Sequence, residues 1–266
     1  MRIAILGADG RMGRALVRAA AAAGPAAKLA AATERAGSPA LGQDAGVLAT
    51  GQALGVTIAA GVPAPGVADV WIDFTVPAAT VAYAAAAVAA GASLVVGTTG
   101  LAPTERAAVE RAAKKVPVVF AANYSIGVNV MLKLVADAAQ TLGPAYDLEI
   151  VETHHRAKRD APSGTALRLA EALAEATGRD LATAARYERH GDIGPRPPAQ
   201  IGVQTLRGGD VVGDHTVHFM GQGDRLEITH RASSRDTFAT GAVRAALWLA
   251  GRPPGLYDMR AVLGLI

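Results

Sequence analysis

Directly after an opening apolar run of strand length, Arg2-Ile3-Ala4-Ile5-Leu6, the chain places three glycines at a spacing of three, Gly7-Ala8-Asp9-Gly10-Arg11-Met12-Gly13. A helical pattern over Met12 to Ala23 and a second apolar run, Lys28 to Thr33, follow at once. Strand, glycine turn, helix, strand is a βαβ start, and few folds accept it. The rhythm resumes with strand Val70 to Phe74, helix Ala78 to Ala90, strand Ser93 to Gly97, helix Pro103 to Lys115 and strand Pro117 to Ala121. These strands are continuous in Val, Ile and Ala rather than alternating, so both of their faces need cover. The expected architecture is a Rossmann-like, doubly wound α/β domain with a parallel sheet.

After a helix over Val128 to Leu142 the pattern changes. Tyr146 to Thr153, Ile201 to Leu206, His215 to Met220 and Arg225 to Arg231 alternate apolar with polar residues. Alternation predicts a sheet with one solvated or interface face, hence a second, α+β domain carrying a mixed sheet. Gly191 to Pro198 is expected to be a loop, and Gly208-Gly209-Asp210 to close a hairpin. The helix Phe238 to Leu249 is expected to return to the first domain.

With 266 residues there is room for two cores. Hydrophobic residues at 51% against 18% charged describe a globular chain rather than a disordered one. There is no cysteine, which excludes disulfides, thiolate metal sites and a cysteine nucleophile, and removes any need for an oxidising compartment. Lys and Arg are dispersed, the net charge is only +3 and aromatics are 4%, so no nucleic-acid role is expected. The Ala-rich stretches near Leu16 to Ala23 and Val81 to Ala90 are too short to span a bilayer. The strand at Arg2 leaves no room for a signal peptide, and the expected location is the cytoplasm.

The glycine turn stands where a dinucleotide pyrophosphate is held by backbone N–H groups and a helix start, which nominates Gly7, Ala8, Asp9, Gly10, Arg11 and Met12. Its spacing is Gly-x-x-Gly-x-x-Gly rather than Gly-x-Gly-x-x-Gly, and Asp9 must point outward or cap the helix if it is not to repel a pyrophosphate. Glu34 follows the second strand, where a carboxylate accepts hydrogen bonds from the adenosine ribose of NAD. Arg35 beside it can instead pair with the 2′-phosphate of NADP, so both NADH and NADPH stay open. Two more strand exits, Gly97-Thr98-Thr99 and Ala121-Ala122-Asn123-Tyr124, are expected to meet the nicotinamide ribose and amide.

The richest stretch chemically is Glu152-Thr153-His154-His155-Arg156-Ala157-Lys158-Arg159-Asp160-Ala161-Pro162-Ser163-Gly164-Thr165. His154 and Lys158 are candidate general acids, since imidazole titrates near neutrality and an amine keeps its proton there. Ser163-Gly164-Thr165 leads into Ala166, Leu167, Leu169, Ala170 and Leu173, an amphipathic helix whose first-turn N–H groups suit a carboxylate. A solvated loop or half a metal site would use similar residues. No third ligand stands at a diagnostic spacing, so no metal is expected.

With these residues together, the chain resembles the 4-hydroxy-tetrahydrodipicolinate reductase (dihydrodipicolinate reductase) family nearly end to end. The motifs are Gly7 to Arg14, Asp73-Phe74-Thr75-Val76-Pro77, Gly97 to Gly100, Phe120 to Leu134, Glu152 to Thr165, and Glu227-Ile228-Thr229-His230-Arg231 through Trp248. The resemblance implies NAD(P)H-dependent reduction of a cyclic dicarboxylate, 4-hydroxy-tetrahydrodipicolinate, to 2,3,4,5-tetrahydrodipicolinate with loss of water, in lysine and diaminopimelate biosynthesis. It implies that His154 donates a proton, that Lys158 assists, and that His155, Gly164 and Thr165 bind a substrate carboxylate. It implies a discontinuous dinucleotide-binding domain (residues 1–125 plus 235–266), a substrate-binding and tetramerisation domain (126–234), and a homotetramer. Asp9, Ala157 and an extra residue before Glu34 depart from the family pattern. Two rivals remain: another NAD(P)-dependent reductase or amino-acid dehydrogenase on the same plan, and a non-catalytic dinucleotide sensor.

Overall fold

Burial on both faces of each central strand shapes the first part of the chain. The computed structural model describes residues 1–265. It divides into two compact units, one made of residues 1–126 with the segment from Arg235 onward, the other of Gly127–Ser234.

The first unit is built on β1 (Arg2–Leu6), β2 (Lys28–Glu34), β3 (Ile58–Ala60), β4 (Val70–Asp73), β5 (Ser93–Val96), β6 (Pro117–Phe120) and β12 (Gly255–Tyr257). They form a seven-stranded sheet in the order β12-β6-β5-β4-β1-β2-β3, every pair parallel. Its helices are α1 (Arg11–Ala22), α2 (Ala45–Thr50), α3 (Pro77–Ala90), α4 (Pro103–Ala113), α8 (Asp236–Trp248) and α9 (Met259–Leu263). Ile3 and Ile5 pack on one side with Leu16 of α1 and Ala242 and Ala246 of α8. Ala4 and Leu6 pack on the other with Ala84 and Ala87 of α3 and Val109 of α4. Successive residues of a strand face opposite ways, so a strand sandwiched between helices reads as an uninterrupted apolar run. Strand order reverses between β1 and β4, where such sheets open a crevice at the strands' carboxyl ends. The short elements α2, β3, β12 and α9 lack a strong period and were not foreseen.

The second unit carries β7 (Asp147–His154), β8 (Ala185–Arg186), β9 (Ile201–Arg207), β10 (Gly213–Met220) and β11 (Arg225–Ala232), in the order β11-β10-β7-β9-β8. It is mixed: β9 runs parallel to β7, and β10 antiparallel to it. Alternate residues Leu148, Ile150, Val217 and Phe219 face a core closed by Met131 and Val135 of α5 (Ile126–Leu142) and by Leu169 and Leu173 of α6 (Gly164–Thr177). A four-residue helix, α7 (Leu181–Ala184), precedes β8.

One connection corrects the sequence reading. Gly208-Gly209-Asp210 is not a hairpin turn, because β9 and β10 are not neighbours and β7 lies between them. The hairpin joins β10 to β11, with Met220 opposite Arg225 and Gly221 N–H donating to the Asp224 carbonyl at 3.1 Å.

A buried carboxylate ends β4. Asp73 is fully buried and accepts from the Thr75 N–H (2.9 Å) and hydroxyl (2.6 Å) and from the Thr80 hydroxyl (2.6 Å). Burial raises its pKa, and these hydrogen bonds oppose that rise. Thr80→Val keeps the shape and removes one donor, so it should lower the unfolding free energy by about 1–3 kcal/mol. Urea denaturation at neutral pH reads this directly; an unchanged midpoint would mean that the Thr80 hydroxyl is dispensable to the carboxylate.

Candidate active site

Strand register assembles the polar cluster of the second unit. On β7 the residues Glu152 and His154 are two apart and therefore share the inner face. Opposite Glu152 stand His215 on β10 and Thr205 on β9, and opposite His154 stands Arg207 on β9. Three strands thus put a carboxylate, two imidazoles, a hydroxyl and a guanidinium on one patch.

Glu152 is fully buried, yet each of its oxygens is engaged. Arg207 grips it bidentately, Nη1 to Oε2 at 2.8 Å and Nη2 to Oε1 at 2.9 Å. The Ser163 N–H donates to Oε1 at 2.9 Å and the Thr205 hydroxyl to the same oxygen at 3.2 Å. His154 Nδ1 lies 2.5 Å from Oε2. Burial alone would raise this carboxyl, but Arg207, His154 and the Ser163 N–H outweigh it and hold the pKa below the usual range.

His154 is 8% exposed. Burial depresses its pKa, the cations Lys158 and Arg207 push the same way, and Glu152 only partly offsets them. The neutral ring therefore prevails at pH 7. A Cβ at position 213 would stand 2.9 Å from Nε2, so Gly213 keeps that edge of the ring clear. The His215 ring meets it edge-on at 5.2 Å.

The loop after β7 is tied down by backbone. Gly208 N–H donates to the His154 carbonyl (2.9 Å), His155 N–H to Val211 (2.7 Å) and Arg156 N–H to Gly209 (3.2 Å). Lys158 N–H closes a turn onto the His155 carbonyl at 3.1 Å, and its Nζ pairs with Asp160 at 2.8 Å. Ser163 caps α6 by accepting the Ala166 N–H, while its hydroxyl meets His215 Nε2 at 3.0 Å. Gly164 and Thr165 open that helix, whose first turn holds no acidic residue. His154, His155, Lys158, Gly164 and Thr165 are thus gathered at one end of the second unit. Glu152 belonged to the conspicuous run but had no role assigned to it. Arg207, His215 and Thr205 were missed, since only register brings them there.

In the first unit the glycine turn is tighter than expected. A Cβ at Gly13 would stand 2.0 Å from the Gly7 carbonyl oxygen, a backbone contact that nothing can relieve. Gly7 and Ala8 N–H both donate to the Thr33 carbonyl and Gly10 N–H to Gly7, so these donors are spent inside the turn. The donors left to a ligand are those of the first turn of α1, at Arg11, Met12 and Gly13, which has no side-chain cap and no acid. Asp9 neither caps the helix nor stands bare: Arg14 Nη2 neutralises it at 2.6 Å. Its N–H donates to Glu34 Oε1 at 3.1 Å, and Arg35 N–H to Oε2 at 3.0 Å, which fixes the Glu34 carboxylate beside the turn. The Arg35 side chain is exposed.

At two expected cofactor contacts the side chain is turned inward, which leaves only backbone groups to face a ligand. The Thr98 side chain is buried, its hydroxyl 2.9 Å from that of Thr80 in the Asp73 network. The Tyr124 hydroxyl, also buried, donates to the carbonyls of Val96 (2.8 Å) and Val119 (3.0 Å). Both hold strand exits in place from inside. Gly97, Thr99, Ala121 and Ala122 stay at the carboxyl ends of β5 and β6, and Asn123 accepts the Ser125 N–H at 2.8 Å. Thr75, whose methyl would lie 2.7 Å from a Cβ on Gly7, is a wall of this end to which the sequence reading gave no role. These features suit a dinucleotide: a helix start open to phosphate, a neutralised Asp9 and a fixed acceptor for ribose hydroxyls.

Residues 1–124 match the family description "Dihydrodipicolinate reductase, N-terminus" and residues 127–263 match "Dihydrodipicolinate reductase, C-terminus". The chain is 58% identical to a 4-hydroxy-tetrahydrodipicolinate reductase of Anaeromyxobacter dehalogenans over 99% of this chain and 98% of that one. It is 55% identical to the enzyme of the same name from Halorhodospira halophila, over 99% and 98%. Among solved structures, the dipicolinate-bound dihydrodipicolinate reductase from Paenisporosarcina sp. TG-14 shares the fold, with a TM-score of 0.75, 23% identity and 97% coverage of both chains.

His215 ties this cluster to stability. Burial, then the neighbouring His154, lowers its pKa to about 4. Below about pH 6.5 the unfolded chain takes up a proton that the folded one refuses, so stability falls as pH drops towards 4 and by up to about 3 kcal/mol from this residue. His215→Gln should remove that part of the slope. Urea unfolding of both proteins at pH 7 and pH 4.5 tests it, and parallel losses would show that His215 is not held neutral.

Proposed function

This chain belongs to the dihydrodipicolinate reductase family, and we propose that His154 and Lys158 handle the proton of its reaction while His155, Gly164 and Thr165 hold a substrate carboxylate. The reaction is NAD(P)H-dependent reduction of 4-hydroxy-tetrahydrodipicolinate to 2,3,4,5-tetrahydrodipicolinate with loss of water, a step of lysine and diaminopimelate biosynthesis. The observation that carries the residue assignment is the Glu152–His154–Arg207 cluster beside a capped helix start. A dicarboxylate needs cationic and N–H donors, and the reduced ring needs a proton. Both stand at one end of the second unit.

Bound NADH or NADPH supplies the hydride, to ring carbon four. Arg11 and Met12 hold the pyrophosphate through their N–H groups, Glu34 the ribose hydroxyls, and Gly97, Thr99, Ala121, Ala122 and Asn123 the nicotinamide end. Negative charge developing on the ring nitrogen and on the ring carbon between carbon four and the imine carbon is stabilised by Lys158 and neutralised by one proton, which the balanced reaction consumes. The start of α6 receives the carboxylate through its backbone dipoles. The first unit is accordingly the dinucleotide-binding domain and the second the substrate-binding one. The second also provides the surface for a homotetramer: the sheet's outer strand β11 has exposed Leu226, and alternate residues of β10 face away from the core. A chain with no cysteine and no dependence on oxidation suits the cytoplasm.

The activity is tested by loss of NADH and NADPH absorbance with freshly generated 4-hydroxy-tetrahydrodipicolinate. Substrate-dependent oxidation is expected with both cofactors, within about tenfold in specificity, or about 1.4 kcal/mol. That breadth follows from Glu34 being fixed while the Arg35 side chain is exposed; a preference of several hundredfold would assign the discrimination to one of the two. Lys158→Ala should lower kcat at least about a hundredfold, the scale of a lost proton-handling group, and leave NADH affinity nearly intact. An equal loss of NADH affinity would remove Lys158 from the substrate side.

A further inference from the structure

Proton chemistry at His154 depends on which ring nitrogen carries hydrogen, and its surroundings answer that. Glu152 Oε1 faces three groups, of which the Arg207 guanidinium and the Ser163 amide can only donate. Oε2 faces the other Arg207 nitrogen and His154 Nδ1. A carboxylate clamped bidentately by a guanidinium is an acceptor on both oxygens. Nδ1 at 2.5 Å must therefore be the donor.

We infer that Glu152, clamped by Arg207, is a positioning residue that locks neutral His154 with its proton on Nδ1, so that Nε2 is an acceptor and donates only when the ring is an imidazolium. The inference rests on the reading of His154 as a proton-handling group. It assigns that residue the part of a relay: Nε2 takes up a proton, and the imidazolium passes it on. Both steps balance: an O–H bond of a solvent hydronium breaks as the N–H bond forms at Nε2, leaving water, and that N–H bond breaks as a C–H bond forms on the substrate carbanion, which returns the ring to neutral. Gly213, with no side chain, leaves the Nε2 edge open to this traffic.

Burial is the main reason the ring resists protonation, and the charges around it adjust that resistance. Arg207 from β9 and Lys158 from the following loop oppose the imidazolium, neutral His215 from β10 adds no charge near pH 7, and Glu152 on β7 favours it. Asp160 pairs with Lys158 and reduces that cation's effect. Glu152 is thus the partner that makes protonation accessible. A glutamine there keeps the size, loses the charge, and can present its NH2 to Nδ1, which would move the proton to Nε2.

The test reads the tautomer without substrate. Full-length protein with ¹⁵N-labelled histidine is followed by long-range ¹H–¹⁵N spectra against pH, and His154 is identified by its disappearance in His154→Gln. Wild type should show, above its midpoint, a protonated Nδ1 and a bare Nε2. In Glu152→Gln the midpoint should fall by at least one pH unit or the tautomer should switch. The high-pH limb of kcat should move with it, so that kcat at pH 7 drops about tenfold or more while KM for substrate stays within about twofold. A neutral wild-type ring carrying its proton on Nε2 overturns the inference, and this spectrum decides even if Glu152→Gln fails to fold. A folded Glu152→Gln with lower kcat but an unmoved midpoint, an unswitched tautomer and an unmoved pH limb also overturns it, because that is the signature of mere loosening. Absence of reductase activity in wild type would instead sink the functional reading and leave the tautomer result standing.

Discussion

A charge with no water around it has to be paired, and in the second unit the Glu152 carboxylate imposes that demand on everything near it. Its donors come from positions 2, 11, 53 and 55 residues away along the chain, so satisfying it requires β7, β9 and the start of α6 to be in place together. Ion pairs of this kind contribute little net stability, since desolvation offsets most of the attraction. The stabilising work falls to Leu148, Ile150, Val217, Phe219 and the helix residues beneath them. What the carboxylate supplies is geometric: a strand slipped by one residue would turn Glu152 to the other face and leave Arg207 and Ser163 without their acceptor.

The first unit solves a related problem with backbone rather than side chains. The positive end of its first helix is the partial charge of unpaired backbone N–H groups, and Gly13 lets the turn pack against that helix so closely that no side chain fits. Two of its carboxylates are engaged locally, one by an ion pair and one by hydroxyls. Arg14 neutralises Asp9, and Thr75 and Thr80 satisfy Asp73. Glu34 is the exception, held by two backbone N–H groups that aim it without neutralising it. A carboxylate prepared in this way is an acceptor waiting for hydroxyls.

These two strategies explain what was readable in the sequence. Continuous apolar strands and the glycine turn announce a parallel sheet because burial on both faces and a close backbone approach leave direct marks on composition. Alternation along β7 and β10 announces a one-sided sheet for the same reason. Period two also links Glu152 to His154, since both must share a face whatever the partners are. Strand order leaves no such mark: Gly208-Gly209-Asp210 has turn chemistry whether its flanking strands pair or, as here, straddle β7. Side-chain direction at a strand exit is equally silent. Thr98 and Tyr124 have the polarity of ligand contacts, and the fold spends their hydroxyls on Asp73's network and on the carbonyls of Val96 and Val119. Arg207 and His215 lie more than fifty residues from His154 in sequence, and only register unites them.

Arg207 joins the two halves of the end proposed to handle the proton. One of its nitrogens reaches both Glu152 at 2.9 Å and the Asp160 carbonyl at 2.7 Å, and Asp160 in turn holds the Lys158 ammonium at 2.8 Å. The guanidinium that clamps the histidine's partner is therefore also the anchor of the loop that presents the lysine. A movement of that loop would disturb the clamp, and loss of the clamp would free the Asp160 end of the loop. Such coupling suits a reaction in which charge must be stabilised and a proton delivered at one ring, because an imidazole and an ammonium that moved independently would seldom be in place together. A lysine in place of Arg207 could not serve both ends, for a single ammonium lacks the planar fork that grips a carboxylate bidentately while reaching a carbonyl beyond it.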